Sequence, residues 1–210
     1  MDNKDKWKDF LEHNDGIVVF DTETSGVRAG RNVILSLSWQ VLDSELNTVS
    51  EQTRYFDWPE DISRVEQGAI NINKLTRTRL AELGTIDKAK GLEEFADVLT
   101  ESSMLVAHNA KFDISFVREE MKENNLEANN IRKLAVFDTM VDMTLYCKLP
   151  LNGHHHGIGG YKYPRLSELA DFLNIDTSDI DFHQSAADVE VTVRCLRNII
   201  KSGLVPPRNY

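Results

Sequence analysis

The chain has 210 residues, 41% of them hydrophobic, and a formal net charge of −10. That length supports one sizeable core, and the acidic balance argues against tight non-specific nucleic-acid binding, because phosphate neutralisation needs Lys and Arg. No run of roughly 18 apolar residues occurs, so no membrane span is expected. The polar start Met1–Lys6 has no secretory-signal core, and Cys147 and Cys195 lack metal-type spacing and read as buried free thiols, so a reducing cytoplasm is expected.

In chain order, Trp7, Phe10 and Leu11 have the spacing of a short amphipathic helix. Ile17-Val18-Val19-Phe20 is apolar, rich in β-branched residues and preceded by Asp15-Gly16; it predicts a buried strand that runs into Asp21-Thr22-Glu23. A turn follows over 24–30, then strands over 33–42 and 49–56, joined by short links as in an antiparallel meander. Pro59 breaks that pattern, and 62–83 reads as irregular helix. The second half alternates: a helix around Leu92–Leu99, a strand at 104–107, a helix from Phe112 that Asn124-Asn125 ends or weakens, and a strand at 135–137. Helices carrying Met140, Leu166 and Val189 complete it. Strand–helix alternation after a meander predicts an α/β fold, a mixed sheet with helices on its faces. No repeat or linker interrupts it, so one main body over 15–203 is expected, with a lead-in over 1–14 and a disordered tail over 204–210.

Carboxylates gather where core elements end. Asp21 and Glu23, two residues apart on a strand, point to the same side. Asp113 lies in the first turn of a helix that follows His108-Asn109-Ala110, and Asp188 in the first turn of the last helix, just after His183. Each has a simpler reading as helix-start chemistry, since the helix dipole favours an acid there; for Asp138 that capping role is the preferred one. Together, Asp21, Glu23, Asp113 and Asp188 could converge. Four bare carboxylates repel, and oxygen-seeking divalent cations, Mg²⁺ or Mn²⁺, would neutralise them. Two such ions about 3.5–4 Å apart can clamp a phosphodiester, with a neutral His taking a proton from water.

The segments Asp21-Thr22-Glu23-Thr24-Ser25-Gly26, His108-Asn109-Ala110-Lys111-Phe112-Asp113 and His183-Gln184-Ser185-Ala186-Ala187-Asp188 resemble the three motifs of the DEDD superfamily of 3′→5′ exonucleases. A His five residues before the last Asp matches the histidine branch, which includes proofreading subunits of replicative polymerases, ribonuclease T and oligoribonuclease. The resemblance implies a ribonuclease H-like fold with a five-stranded mixed sheet. It implies that Asp21 bridges two metals, Glu23 and Asp188 complete the site of the one that activates water, and Asp113 holds the second mainly through water. By the same resemblance His183 is the general base, Thr24, Ser25, Gly26 and Val27 meet the terminal nucleotide, and Asn109 supports the site. The implied activity is metal-dependent 3′→5′ hydrolysis of single-stranded DNA to nucleoside 5′-monophosphates. RNA-directed trimming is the alternative, and an idle nucleic-acid-binding module the least favoured reading. Implied partners are nucleic-acid 3′ ends, DNA ahead of RNA, with a polymerase or another processing protein as candidate company; oligomeric state is left open.

Two features stand outside that resemblance. The Gly153–Gly160 stretch, with His154, His155 and His156, reads as a flexible surface loop rather than a substrate-contact loop or extra metal site. Arg28, Arg31, Lys111, Lys162 and Arg165 are scattered cations of the kind usually found on solvated faces.

Overall fold

The computed structural model describes residues 1–14, 16–128, 131–151 and 156–207. The apolar run after Gly16 forms β1 (Ile17–Thr24), which pairs antiparallel with β2 (Ile34–Leu42), and β2 pairs antiparallel with β3 (Thr48–Tyr55). β4 (Met104–Ala107) joins β1 in parallel, and β5 (Ala135–Asp138) joins β4 in parallel. The sheet order is β3-β2-β1-β4-β5, the expected five-stranded mixed sheet.

Alternation along the central strand divides the core. Ile17 and Val19 pack into one cluster with α1 (Asn3–His13), α6 (Thr139–Cys147), α7 (Leu166–Phe172) and α8 (Ser185–Ser202). Val18 and Phe20 pack on the other face with α4 (Lys88–Thr100) and α5 (Ala110–Glu123). Helices therefore cover both faces, which is why the parallel strands are apolar throughout rather than alternating. α8 is the chief partner of the first face: Val189, Val193, Leu196 and Ile200 lie on one stripe, and all are buried.

Helix ends follow local chemistry. Asp138 caps α6, accepting from Met140 N at 3.0 Å and Val141 N at 3.2 Å, and its Oδ1 also takes the Asn109 amide at 3.1 Å. The same carboxylate thus joins the starts of α5 and α6. The irregular stretch resolves into a 3₁₀ turn at Ile62–Arg64, α2 (Gln67–Asn73) and α3 (Arg77–Leu83).

Two expectations are corrected. The second half of the Gly- and His-rich stretch is not loose: β6 (Gly157–Ile158) and β7 (Tyr161–Lys162) form a hairpin. Gly159 and Gly160, at φ 60° and 84°, supply the turn, since only glycine takes two such residues without steric cost. Residues 152–155 lie outside the described residues. The tail is also partly ordered: Leu204 and Val205 pack on the first core cluster, and Pro207 is buried. Asn3 donates to the carbonyls of Gly203 and Leu204, and Trp7 Nε1 to that of Val205, so α1 and the tail hold each other down. Residues 208–210 lie outside the described residues. Cys147 and Cys195 are free and buried, as read. Among the described residues no helix is long and apolar enough to cross a membrane.

Phe95 on α4 lies fully buried against Phe20 at 5.3 Å and Trp39 at 5.4 Å between ring centroids. Phe95→Ala should cost about 3–5 kcal/mol in urea unfolding, by lost burial and a residual cavity. A loss below about 1 kcal/mol would show that α4 does not carry this half of the core.

Candidate active site

The pleat of β1 decides which acids meet. Asp21 and Glu23 continue the Ile17–Val19 face, the side covered by α8, opposite Ser38 and Ser36 of β2. The start of α8 is tied to that place by hydroxyls: Ser185 Oγ lies 2.8 Å from Ser36 Oγ and 2.7 Å from Ser38 Oγ, and Ser38 continues to Thr53 at 2.9 Å. Asp188, about one turn further on, is thereby carried to the two strand acids. One carboxylate oxygen from each of Asp21, Glu23 and Asp188 lies within 4.8 Å of the other two.

Asp113 arrives from the opposite face. It sits in the first turn of α5, 2% exposed, and its Oδ1 accepts from Thr22 N at 3.0 Å and Thr22 Oγ1 at 2.6 Å. Thr22 shares the Val18–Phe20 side of β1, so α5 meets Thr22 rather than the two acids beside it. Of the four acids, Asp21, Glu23 and Asp188 gather on one face, and Asp113 comes to Asp21 from the other side of the strand. The reason is the two-residue period of the strand, which sends neighbours to opposite sides. Asp21 lies between them, and Asp113 is the strongest of the charges acting on it.

The electrostatics are one-sided. Burial, then Asp113, Asp188 and Glu23, hold the Asp21 carboxyl well above its ordinary range. Burial and then Asp188 push Glu23 up to about 8, while the polar side chain of nearby Asn73 acts to lower it. Burial raises Asp113 to about 7 despite its two bonds from Thr22. Burial raises Asp188 to about 6, and His183 pulls it back through its charge and its backbone amide. Asp188 Oδ1 is buried with no hydrogen-bond partner. Three converging carboxylates, one of them with an orphaned oxygen and none accompanied by nitrogen or sulfur, fit a hard divalent cation.

His183 stands at the edge of this cluster. It is exposed, immediately before the N-cap Gln184, and left-handed at φ 69°, a conformation that His adopts more readily than most residues. It shares a cavity of about 520 Å³ with Glu23, Tyr55, Asn73, Arg79 and Phe182. A larger cleft, about 770 Å³, opens at the other end of β1 between α1 and the Asp43–Glu45 turn and contains none of the acids.

The segment after Glu23 is mostly interior. Thr24 Oγ1 donates to the Gly26 carbonyl at 2.6 Å, and Ser25 Oγ donates to the Arg64 carbonyl at 2.7 Å while accepting from Val33 N at 2.9 Å. A Cβ on Gly26 would come within 2.3 Å of Asn32 Nδ2, whose side chain holds Arg28 N and the Arg64 carbonyl. Only Val27 stands out, 67% exposed. Asn109 is left-handed at φ 72° and begins α5. Of the scattered cations, Lys162 is paired with Glu168, whereas Arg28 and Arg31 are exposed. The sequence analysis missed Asn73, Lys74 and Arg79, which line the cavity from α2 and α3. The available signal was a buried-type Asn among Ile70, Ile72 and Leu75, in the stretch read only as irregular helix.

Each of Glu23, Asp113 and Asp188 has its pKa raised in the folded chain, so its charged form weighs against folding. Without metal, that penalty is absent near pH 4 and grows as pH rises to about 8. Asp188→Asn should therefore raise the melting temperature of the metal-free protein at pH 8, by about 2 °C or more, and much less at pH 4. The check is a thermal melt in chelator at both pH values; an equal shift at the two would remove charge repulsion as its cause.

The RNase_T family, described as Exonuclease, matches residues 18–196. Ribonuclease T from Shewanella frigidimarina is 30% identical over 132 residues, 58% of this chain and 60% of that protein. Ribonuclease T from Shewanella denitrificans is 28% identical over 87% of this chain and 79% of its own length. The PolC-type DNA polymerase III of Mycoplasmopsis pulmonis is 25% identical over 90% of this chain, which spans only 12% of it. Among solved structures, the zinc-bound complex of E. coli exonuclease I with single-stranded DNA superposes with a TM-score of 0.72 at 20% identity, over 90% of this chain and 41% of that one. That likeness bears out the ribonuclease H-like fold. With the three motifs assembled around β1, and the family match running from that strand into α8, the chain belongs to the Exonuclease (RNase_T) family, within the DEDD superfamily.

Proposed function

We propose that this chain is a metal-dependent 3′→5′ exonuclease that acts on single-stranded DNA ends and releases nucleoside 5′-monophosphates. The observation that carries the reading is the meeting of Asp21, Glu23 and Asp188 within 4.8 Å, with Asp113 behind Asp21 and His183 at the rim. Asp21, Glu23 and Asp188 would hold one Mg²⁺ or Mn²⁺, and Asp21 with Asp113, the latter through water, a second. Bound there, the cations supply positive charge to the phosphate and to the oxygens that attack and leave.

The chain's own residues do the rest. His183 accepts the proton of the attacking water at a ring nitrogen. The new bond joins water oxygen to phosphorus, the bond to the penultimate 3′-oxygen breaks, and that oxygen takes a proton from solvent. The roughly 520 Å³ cavity beside Glu23 and His183 has room for one nucleotide. Lys74 and Arg79 in its wall offer positive charge to a phosphate backbone despite the net charge of −10. The backbone of Thr24–Gly26 and the protruding Val27 face the terminal nucleotide, and Asn109 holds the turn that delivers Asp113.

RNA is the second substrate class, favoured by the 28% identity to a ribonuclease T over 87% of this chain. Matched DNA and RNA oligomers, labelled at the 5′ end, separate the two by rate. The reading predicts a ladder shortening from the 3′ end, full inhibition by chelator, and no cutting of a covalent circle; nicked circles would make this an endonuclease. Asp21→Ala and Asp188→Ala should each lower turnover by more than about 10³-fold. His183→Ala should lose about 10²–10⁴-fold while keeping the melting shift that Mg²⁺ or Mn²⁺ produces. Wild-type rates in any of these variants would refute the role given to that residue.

A further inference from the structure

Residues 173–184 join α7 to α8 without a helix or strand of their own, and they carry His183. Ile175, Ile180 and Phe182 rest partly buried on the first core cluster. Such packing is non-directional, so it fixes the depth of the segment better than its course. The directional contacts come from α8. Arg194 Nη1 donates to the Asp176 carbonyl and to Asp179 Oδ1, each at 3.0 Å, and Nη2 donates to Asp179 Oδ2 at 3.0 Å. Its Nε donates to Glu190 Oε1 at 2.8 Å, on the same helix. The other Glu190 oxygen accepts from Gln40 Nε2 of β2 at 3.0 Å, which braces the guanidinium against the sheet. A planar guanidinium facing three acceptors has one orientation that satisfies them all. Nearer α8, Gln184 Nε2 donates to Asp181 Oδ2 at 2.7 Å, closing the turn that contains His183.

We propose that Arg194 is a positioning residue for His183: by clamping Asp176 and Asp179 to α8, it sets the course of the segment that presents the imidazole to the carboxylates. The clamp starts from the helix that also carries Asp188, so the base and a metal ligand are held by one rigid element. The side chains of Arg194 and Asp179 are 28% and 61% exposed, and an ion pair so exposed contributes little to stability. What the two-pronged contact supplies is direction. Its loss is therefore felt in rate before it is felt in melting. The inference rests on reading His183 as the general base of the proposed reaction.

The test measures kcat and KM with Mg²⁺ on a 5′-labelled single-stranded DNA oligomer and its RNA counterpart. The proteins are wild type, Arg194→Ala, Arg194→Lys, Asp179→Ala, His183→Ala and the Arg194→Ala/His183→Ala double variant. Arg54→Ala is the control, because Arg54 makes an ion pair of similar exposure with Glu94 on the other face of the sheet. Arg194→Ala and Asp179→Ala should each lower kcat about 3–10-fold, with KM and the Mg²⁺-induced melting shift unchanged. Arg194→Lys should fall in between, since an ammonium keeps the charge without the fork. In the His183→Ala background Arg194→Ala should add nothing, and Arg54→Ala should keep the wild-type kcat. Wild-type kcat in both Arg194→Ala and Asp179→Ala, or the same further loss in the His183→Ala background, would overturn the proposal and leave Arg194 a structural residue. His183→Ala at the wild-type rate would overturn it as well, since no base would remain to be positioned. Should Arg194→Ala not fold, the exposed Asp179→Ala, alone and with His183→Ala, is judged by the same outcomes. Wild type that degrades neither oligomer would overturn the exonuclease reading itself, a result distinct from equal rates in wild type and variants.

Discussion

The structure turns on mutual repulsion among carboxylates that are buried or half-buried. Asp21 and Glu23 stand on the last pleats of the central strand, Asp188 comes down on them from α8, and Asp113 approaches from behind. Burial and like charge both work against ionisation, and the charges acting on Asp21 are all negative. Such a cluster persists only when the surrounding fold over-determines it, as functional sites commonly do. Here the over-determination comes from the sheet: β1 is hydrogen-bonded on both sides, and its apolar residues are buried by helices on both faces.

α8 is the second part of that constraint. Its buried stripe seats it on the sheet, and the Ser36–Ser185–Ser38 hydroxyls set its first turn over the strand acids. The hydroxyls are buried and satisfied by one another, so they hold position without placing a charge near the carboxylates. Asp113 is held differently, by Thr22 from the α5 side, so that no single helix carries the whole acidic set. Asn73 ties down the end of β1 at Thr24, from a short helix that a sheet-and-helix view of the fold would leave as a connector.

The net charge is −10, and the wall of the cavity that runs from Glu23 to His183 carries both signs, Lys74 and Arg79 beside Glu23 and Asp181, with Arg79 paired to Glu82 at 3.3 Å. On the proposed function a polyanion would meet the molecule at that wall, while distant acids are screened by salt within about 10 Å. On that reading capture of long strands is weak and salt-dependent, and divalent cations at the carboxylates would supply the remaining attraction.

Most of the architecture was legible in the residues. The apolar run 17–20, the two strands after it and the helical stripes at Leu92, Phe116 and Val189 each carry a period that only one kind of element satisfies, and each forms as read. The places of Asp21, Glu23, Asp113, His183 and Asp188 at element ends were legible too, because each follows an apolar run or precedes a helical stripe. What the chain order could not decide is which face each acid reaches. Asp21 and Asp113 are 92 positions apart in sequence, and their relation follows from the pleat of β1 and from which helix covers which side. The same holds for Asn73 and the ordered tail, whose partners at Thr24 and Trp7 lie far away along the chain. Periodicity is a local property and can be read from local residues, whereas a carboxylate's neighbours are set by long-range packing, and only the assembled sheet and helices determine them.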